Sequence, residues 1–288
     1  MSVAPQQHRY GITRRQIVGL ARHLVLISIC LVVICPIAYM FIASFKSIQD
    51  FFEFPYGLPA KWEWRNYVRA WEEANVAVTF TNSVIVAGLG VLFSTVLATL
   101  ASYGLGQPGR GRPLSSAMFM LFVGGLLVPV QLIVLPLFIL VRQLGLYGTL
   151  FSIIMPYSAL GLPLAVLILV PFFSALPGEL RDAALIDGAN EWQVFWRIML
   201  PLVRPALASV VILNGVWMWN DFFIPLIIAT KPATHTMSVG IMSFFGVYST
   251  EWGLVFASVA ISTLPLILAY VLLTRQFVAG LSAGALKG

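Results

Sequence analysis

Long apolar runs alternate with short polar segments along the whole chain. An α-helix rises about 1.5 Å per residue, so a run of about 20 apolar residues is long enough to cross the hydrocarbon core of a bilayer. The runs lack the strict polar–apolar alternation of a membrane β-barrel. The pattern predicts an all-α polytopic membrane protein with six transmembrane helices, at residues 20–45, 78–103, 114–141, 148–173, 206–229 and 252–274.

The spacing of the runs predicts a single membrane domain over residues 20–275, because no Gly/Ser linker separates them. Residues 1–19 form an N-terminal segment, and residues 276–288 form a C-terminal tail. The first run is too long for the core of a cleaved signal peptide, so we expect it to remain as an anchor. Kinks are expected at prolines within the third and fourth runs, namely Pro129, Pro136, Pro156, Pro163 and Pro171.

Composition agrees with a lipid environment. The chain is 59% hydrophobic and only 10% charged, whereas soluble domains carry about 25% charged residues. The two cysteines, Cys30 and Cys35, lie within the first apolar run and have no metal-ligand spacing. We therefore interpret both as small side chains facing lipid or the core.

The distribution of charge predicts the orientation in the membrane. If the N-terminus is cytoplasmic, the cytoplasmic segments hold most of the 17 basic residues, and the opposite segments hold most of the 11 acidic ones. An excess of Lys and Arg on the cytoplasmic side is the rule for membrane proteins, so both termini are expected in the cytoplasm. The basic residues are scattered over separate loops, which disfavours a nucleic-acid surface.

A polar loop at residues 177–201 joins the fourth and fifth runs, on the predicted cytoplasmic side. Pro177 suits a first helical turn, and Gly188 interrupts the helix that follows. Asn190 can cap a second helix, with Gln193 as its capping-box partner. We expect two short amphipathic helices with a bend between them. Such an element either lies on the lipid headgroups or docks against a soluble partner.

The same loop resembles the EAA loop of ABC importer permeases, in which it forms the coupling helices that dock into a cleft of the ATPase subunit. The match rests on the Asp-Ala-Ala and Asp-Gly-Ala stretches and on the spacing to the Ile-Met-Leu-Pro stretch. Asp182 stands where the family commonly has glutamate, so the carboxylate is kept with a shorter reach. The implied ATPase-coupling residues are Asp182, Ala183, Ala184, Asp187, Gly188, Ala189, Ile198 and Pro201.

Three further stretches extend the resemblance over most of the chain. The Asn82–Ser83 pair is similar to a family signature, and residues 219–226, Trp-Asn-Asp-Phe-Phe-Ile-Pro-Leu, are similar to another. The ending, residues 276–288, resembles the tail of the carbohydrate-uptake subfamily, in particular its maltose-type second permease subunit. The resemblance implies a multi-pass permease of a bacterial inner (plasma) membrane that imports a sugar or oligosaccharide by alternating access. A permease for a non-sugar solute, such as a polyol or a glycerol phosphate ester, is the alternative.

The resemblance also implies a set of partners. These are a second homologous permease subunit, a dimer of ABC ATPase subunits that bind ATP and Mg²⁺, an extracytoplasmic sugar-binding protein, and the lipid bilayer. The sequence contains no phosphate-binding G-x-x-x-x-G-K-[ST] motif, so we expect no cofactor on this chain and no enzymatic activity.

Two other classes of protein fit the sequence less well. A membrane-embedded enzyme would need a catalytic constellation, and no paired intramembrane carboxylates or Ser/His/Asp set is evident. A self-sufficient secondary carrier would not need an ATPase-docking loop. A G-x-G-x-x-G match at residues 104–109 follows a predicted membrane helix instead of a strand, which disfavours a dinucleotide site.

Polar side chains within the apolar runs are the candidates for the solute path. For the two asparagines the alternative is hydrogen bonding between helices, and for the aspartate it is an ion pair or a helix cap. Three tryptophans of the first outer loop, Trp62, Trp64 and Trp71, either contact the binding protein or belong to the aromatic belt at the membrane surface. The candidate path residues are Gln131, Asn214, Asn220 and Asp221.

The C-terminal tail is rich in small residues and has no acidic side chain after residue 278. If it runs extended, at about 3.4 Å per residue, residues 278–288 reach about 35 Å. We expect this tail to contact the ATPase pair and to tune ATP hydrolysis. The alternative is a frayed chain terminus.

Overall fold

Helices account for the fold of the computed structural model, which describes residues 14–107, 112–246 and 250–285. Side chains are described for residues 18–107, 113–246 and 250–272. Within these ranges β-type pairing amounts to one isolated bridge between Phe245 and Thr250. The predicted all-α class is therefore confirmed.

Four of the six predicted spans are helices that are long and apolar enough to cross a bilayer. The fourth span is made of two helices that follow each other almost without a break. The first three of the four begin and end within a few residues of the predicted bounds. They are α1 (Arg14–Ala43), α4 (Val76–Leu105), α7 (Phe151–Leu160) with α8 (Leu162–Ser174), and α15 (Trp252–Ala285).

The third predicted span is broken. We expected one kinked helix over residues 114–141, but α5 (Arg112–Gly125) and α6 (Val130–Gln143) meet at an angle of 98°. The break ends at Pro129, whose ψ of 128° is extended. A residue preceding a proline is driven out of the helical region, and the proline itself donates no hydrogen bond. The break therefore replaces the kink expected at this position.

The fifth predicted span is also interrupted, near its C-terminal end. It consists of α12 (Arg204–Asn220) and α13 (Phe223–Ile228). Asp221 lies between them with an extended ψ of 130°. The polar residue predicted to lie inside a helix therefore lies at a helix junction.

The last helix is longer than expected, because α15 continues past the predicted end of the span to Ala285. The expectation of an extended tail is therefore corrected as far as that residue. At about 1.5 Å per residue, residues 278–285 add only about 12 Å. The last three residues lie outside the described part of the chain.

Short helices cover both ends of the bundle. One end carries the 177–201 loop, with α9 (Gly178–Ile186), α10 (Glu191–Val194), a π-helical turn (Phe195–Met199) and α11 (Leu200–Leu202). The opposite end carries α2 (Ile48–Glu53), α3 (Arg65–Glu73), α14 (Met237–Gly240) and two 3₁₀ turns (Pro232–Thr234 and Ile241–Phe244).

Helix α4 forms the centre of the bundle and packs against α7, α8 and α12, while α12 also packs against α15. Small residues make the close approach possible. A Cβ atom on Gly106, at the end of α4, would lie 2.8 Å from Cβ of Phe173. By contrast, the apolar stretch of α1 is not buried within this chain.

The opposite end is fastened to the start of α4 by two polar side chains. The amide of Asn82 donates to the carbonyls of Ala233 and His235, both at 2.9 Å. The hydroxyl of Ser83 accepts the N–H of Met237 at 2.8 Å. These bonds satisfy three backbone groups, of which the N–H of Met237 is buried, so this Asn-Ser pair holds the loop that follows α13.

Candidate functional site

The 177–201 loop bends at a well-defined helix end. The N–H of Ala189 donates to the carbonyl of Ala184 at 3.0 Å, and the N–H of Gly188 donates to that of Leu185 at 3.1 Å. This pair of bonds is a Schellman motif, which needs a left-handed residue after the helix. Gly188 provides it, with φ of +85°. The predicted interruption at Gly188 is confirmed, and the motif explains the spacing between the alanines and the glycine.

The second half of the loop starts with the capping box expected from the sequence. The side chain of Asn190 accepts the N–H of Gln193 at 2.9 Å, and the side chain of Gln193 accepts the N–H of Asn190 at 2.9 Å. The chain then passes through the π-helical turn Phe195–Met199 and reaches Pro201, which has no N–H to donate. Both ends of the bend are therefore fixed by local hydrogen bonds.

The eight predicted coupling residues belong to one folded element but differ in exposure. Ala184 is buried in the same apolar cluster as Val194 and Phe195, so the two halves of the loop pack together. The other seven residues are either exposed at the bend of the loop or half-buried next to the bundle. Asp182, Ala183, Asp187 and Gly188 are exposed, whereas Ala189, Ile198 and Pro201 are half-buried.

The tip of the loop combines an apolar side chain with acids. Ile186 is 86% exposed, and Asp182 and Asp187 are exposed near it in the chain. An exposed large apolar side chain flanked by charge is typical of an interaction surface. The tip therefore suits a protein partner with an apolar recess and basic side chains.

A charged cluster that sequence reasoning missed ties the loop to α4. The guanidinium of Arg181 binds both carboxylate oxygens of Glu191, with Nε 3.2 Å from Oε2. The hydroxyl of Tyr103, near the end of α4, donates to the same Oε2 at 3.0 Å. Arg181 also contacts Asp182 at 3.3 Å. The sequence signal was the opposite charge of Arg181 and Glu191 on either side of the Gly188 bend.

The carboxylate of Glu191 raises the pKa of the Arg181 guanidinium above its usual value, because it accepts hydrogen bonds from the charged form. Arg181 is therefore cationic at any pH of interest. A small pocket of about 100 Å³ lies beside the cluster, between the end of α4 and the start of α9. Its lining includes Tyr103, Phe173, Arg181 and Asp182.

Asp221 acts as a cap at the junction of α12 and α13. Its carboxylate accepts the N–H groups of Phe223 and Ile224, both at 3.3 Å, and the hydroxyl of Tyr157 at 2.8 Å. The hydroxyl of Ser238 donates to its backbone carbonyl at 2.8 Å. This geometry matches the cap alternative for Asp221 and links α7, α12 and the loop that follows α13.

The remaining candidate path residues are not brought together. Asn214 is buried and donates to the carbonyl of Gly161 at 3.1 Å, which is a bond between helices. Asn220 is exposed and donates to Val216 of its own helix at 2.8 Å. Gln131 is exposed in the first turn of α6. These four residues do not form one polar site within the described chain.

An open apolar groove of about 860 Å³ lies between α4, α12 and α15. Its lining includes the rings of Trp217, Trp219 and Tyr270. Its location between three predicted spans gives the bundle a concave side.

Comparison with known proteins yields a family match over most of the chain. Residues 94–282 match the sequence profile described as "binding-protein-dependent transport system inner membrane component". This region contains the 177–201 loop, the Asp221 junction and the spans from α5 onwards.

Similar curated proteins match over nearly their full length. The permease protein of a diacetylchitobiose uptake system of Streptomyces coelicolor is 33% identical over 270 residues, covering 92% of this chain and 88% of that protein. The permease protein of a trehalose/maltose transport system of Thermococcus litoralis is 35% identical over 272 residues, covering 92% and 96%. A melibiose/raffinose/stachyose import permease of Bacillus subtilis is 32% identical over 231 residues, covering 80% and 83%.

A solved structure has the same fold. A chain from the crystal structure of a bacterial ABC transporter involved in alginate import aligns with a TM-score of 0.77 over 95% of this chain and 100% of its own length. The sequences are 22% identical, so the similarity concerns the arrangement of helices.

Proposed function

Because the chain belongs to the family of binding-protein-dependent transport system inner membrane components, we propose that it is the membrane-spanning permease subunit of an ATP-driven sugar importer. The observation that carries this proposal is the 177–201 loop, with its rigid bend and exposed tip, within the region that matches the family. The chain supplies the path through the membrane, and ATP with Mg²⁺ binds to separate ATPase subunits.

The tip of the loop is the proposed ATPase contact. Ile186 enters an apolar recess of the ATPase, and Asp182 and Asp187 face basic side chains around it. Both charged groups are exposed, so their desolvation cost on docking is modest compared with that of buried ions. Docking on this side requires the loop to be cytoplasmic, as the excess of Lys and Arg on its side of the chain favours.

Two further partners complete the proposed importer. A second permease subunit pairs with this chain, because the apolar stretch of α1 and the groove between α4, α12 and α15 are left open by the chain alone. An extracytoplasmic binding protein docks on the opposite end, at the surface formed by α2 and α3. A related fold in complex with an alginate-bound periplasmic protein supports this arrangement at the level of architecture.

The proposed solute is a sugar or oligosaccharide. The curated relatives are named for diacetylchitobiose, trehalose or maltose, and melibiose, raffinose or stachyose, all of which are carbohydrates. Aromatic rings in the groove suit the apolar faces of sugar rings, which pack on aromatic side chains. A polyol or a glycerol phosphate ester is the less favoured solute.

Affinity purification and uptake measurements test the proposal together. The chain, tagged at its N-terminus, is purified from the membranes of its own host, and co-purifying proteins are identified by mass spectrometry. We expect a P-loop ATPase and a second permease. In cells that lack the chain, uptake of radiolabelled diacetylchitobiose, maltose, trehalose and melibiose is compared with uptake of glycerol and glycerol 3-phosphate.

We expect the loss of the chain to abolish uptake of at least one of the four sugars, and re-expression to restore it. Loss of glycerol 3-phosphate uptake alone would contradict the sugar assignment. Purification without any P-loop subunit would contradict the importer assignment itself.

A further inference from the structure

We propose that Tyr103, Arg181 and Glu191 form a positioning cluster that couples displacement of the 177–201 loop to α4, the central helix of the bundle. This inference rests on the proposed function, since it concerns how force from the ATPase enters the membrane domain. It assigns that step to three side chains, of which only Arg181 adjoins the predicted coupling residues.

The cluster joins three elements through a single carboxylate. Arg181 lies on α9 and Glu191 is the first residue of α10, so their ion pair closes the bend across Gly188. Tyr103 lies near the end of α4 and donates to Glu191 at 3.0 Å. Glu191 therefore receives hydrogen bonds from both the loop and the central helix.

The ring of Tyr103 is itself fixed by packing. Its centroid lies 5.8 Å from that of Phe173 on α8 and 5.0 Å from that of Phe195 in the π-helical turn. Both contacts have the tilted or edge-to-face geometry that aromatic pairs prefer. The Tyr103 hydroxyl is thus held within hydrogen-bonding distance of the Glu191 carboxylate. The hydrogen bond therefore depends on the position of α10 relative to α4.

Directional hydrogen bonds are needed to fix the loop against α4, because the other contacts between the loop and the spans are apolar. Ala184, Val194 and Phe195 pack with residues of α8 and α12 in one cluster. The hydrophobic effect is non-directional, whereas charge-assisted hydrogen bonds fix distance and angle. Since α4 packs against α7, α8 and α12, a displacement passed to α4 reaches most of the bundle.

The test uses variants that remove one polar group while keeping side-chain volume. Tyr103→Phe removes the hydroxyl and leaves the ring packing intact. Glu191→Gln keeps the shape but removes the charge that holds Arg181. The matched control is Glu179→Gln, which neutralises an exposed acid of the same loop outside the cluster. Each variant is purified with its ATPase and partner permease from the host membrane.

A cysteine at the other end of the protein reports conformational coupling without knowledge of the solute. Cys30 and Cys35 are replaced by alanine, and Asn220→Cys places a thiol at the exposed end of α12. Its rate of reaction with a membrane-impermeant maleimide is measured with and without ATP and vanadate. In the parent protein, we expect ATP with vanadate, which traps the ATPase, to change this rate. The reason is that alternating access changes the exposure of the cysteine at position 220.

In Tyr103→Phe and Glu191→Gln we expect the ATP-dependent change in labelling rate to fall roughly tenfold, the equivalent of one charge-assisted hydrogen bond. Co-purification of the ATPase should stay at the parent level, and Glu179→Gln should behave as the parent does. A full ATP-dependent change in both variants would overturn the inference, and so would loss of the ATPase from both, which would indicate a docking role. If the parent itself shows no P-loop subunit and no ATP-dependent change, the proposed function fails instead.

Discussion

At the scale of single residues, the conformation of one glycine determines the shape of the candidate site. Gly188 has φ of +85°, and a Cβ added there would meet no neighbouring atom within 4 Å. Steric room would allow a larger side chain at this position. Glycine is needed because the backbone has a positive φ. An L-residue in the left-handed region costs about 1–2 kcal/mol, and asparagine is the usual exception.

Gly188→Val should weaken ATPase binding, because the Schellman bend then carries this cost and the tip moves. One to two kcal/mol corresponds to a change of about 5- to 30-fold in the population of the bent form. The measurement is the amount of ATPase that co-purifies with the tagged chain. Gly188→Asn is the matched control, since asparagine tolerates the left-handed region, and it should retain most of the ATPase. Equal losses in both variants would show that the bend is not what the glycine provides.

At the scale of elements, the ends of α4 and α8 approach each other closely near the 177–201 loop. Gly106 follows α4 and lies against α8, where an added Cβ would be 2.8 Å from Cβ of Phe173 and 3.2 Å from the N atom of Ser174. Two residues earlier, Gly104 has nothing within 4 Å of the same hypothetical atom. The two glycines therefore have different reasons for their presence.

Gly106→Ala should destabilise the protein by about 1–3 kcal/mol, the usual cost of an added methyl group in a tightly packed contact. Gly104→Ala should be neutral or slightly stabilising, since alanine is the better helix former. Thermal unfolding of the two purified variants in the same detergent tests this difference. A midpoint for Gly106→Ala at or above that of Gly104→Ala would contradict the close approach of α4 and α8.

At the scale of the whole molecule, the two ends of the bundle have different chemistry. The 177–201 end presents the acidic tip, while the opposite end presents aromatic side chains, with Trp62, Trp64 and Trp71 all exposed. Exposed tryptophans suit either a membrane interface or a protein contact. The ion pair between Lys61 and Glu63 lies on the same surface, at 3.4 Å.

A labelling experiment tests the proposed orientation. With Cys30 and Cys35 replaced by alanine, a cysteine at Lys61 should react with a membrane-impermeant maleimide in intact cells, after any outer membrane has been made permeable. The side chain of Lys61 is 83% exposed, so access is not limiting. A cysteine at Asp187 should react only after the inner membrane is opened. The reverse pattern would invert the topology. Gly109, another position on the predicted cytoplasmic side, lies outside the described residues.

The sequence alone determined the class of fold, the number and approximate limits of the apolar segments, and the local form of the 177–201 loop. Apolar runs of membrane length are a property of composition along the chain, and they need no knowledge of what packs against them. The bend at Gly188 and the capping box at Asn190 were also predictable, because both depend on hydrogen bonds between residues a few positions apart.

Only the tertiary structure decided how distant residues meet. The Tyr103 hydroxyl reaches Glu191 across 88 positions of sequence, and that of Tyr157 reaches Asp221 across 64. No periodicity encodes such pairs, since they follow from the packing angles of whole helices. The same reason explains why a kink was expected near Pro129, where the structure has a break. A proline in the sequence indicates where a helix bends or ends, but the packing of neighbouring helices determines the angle.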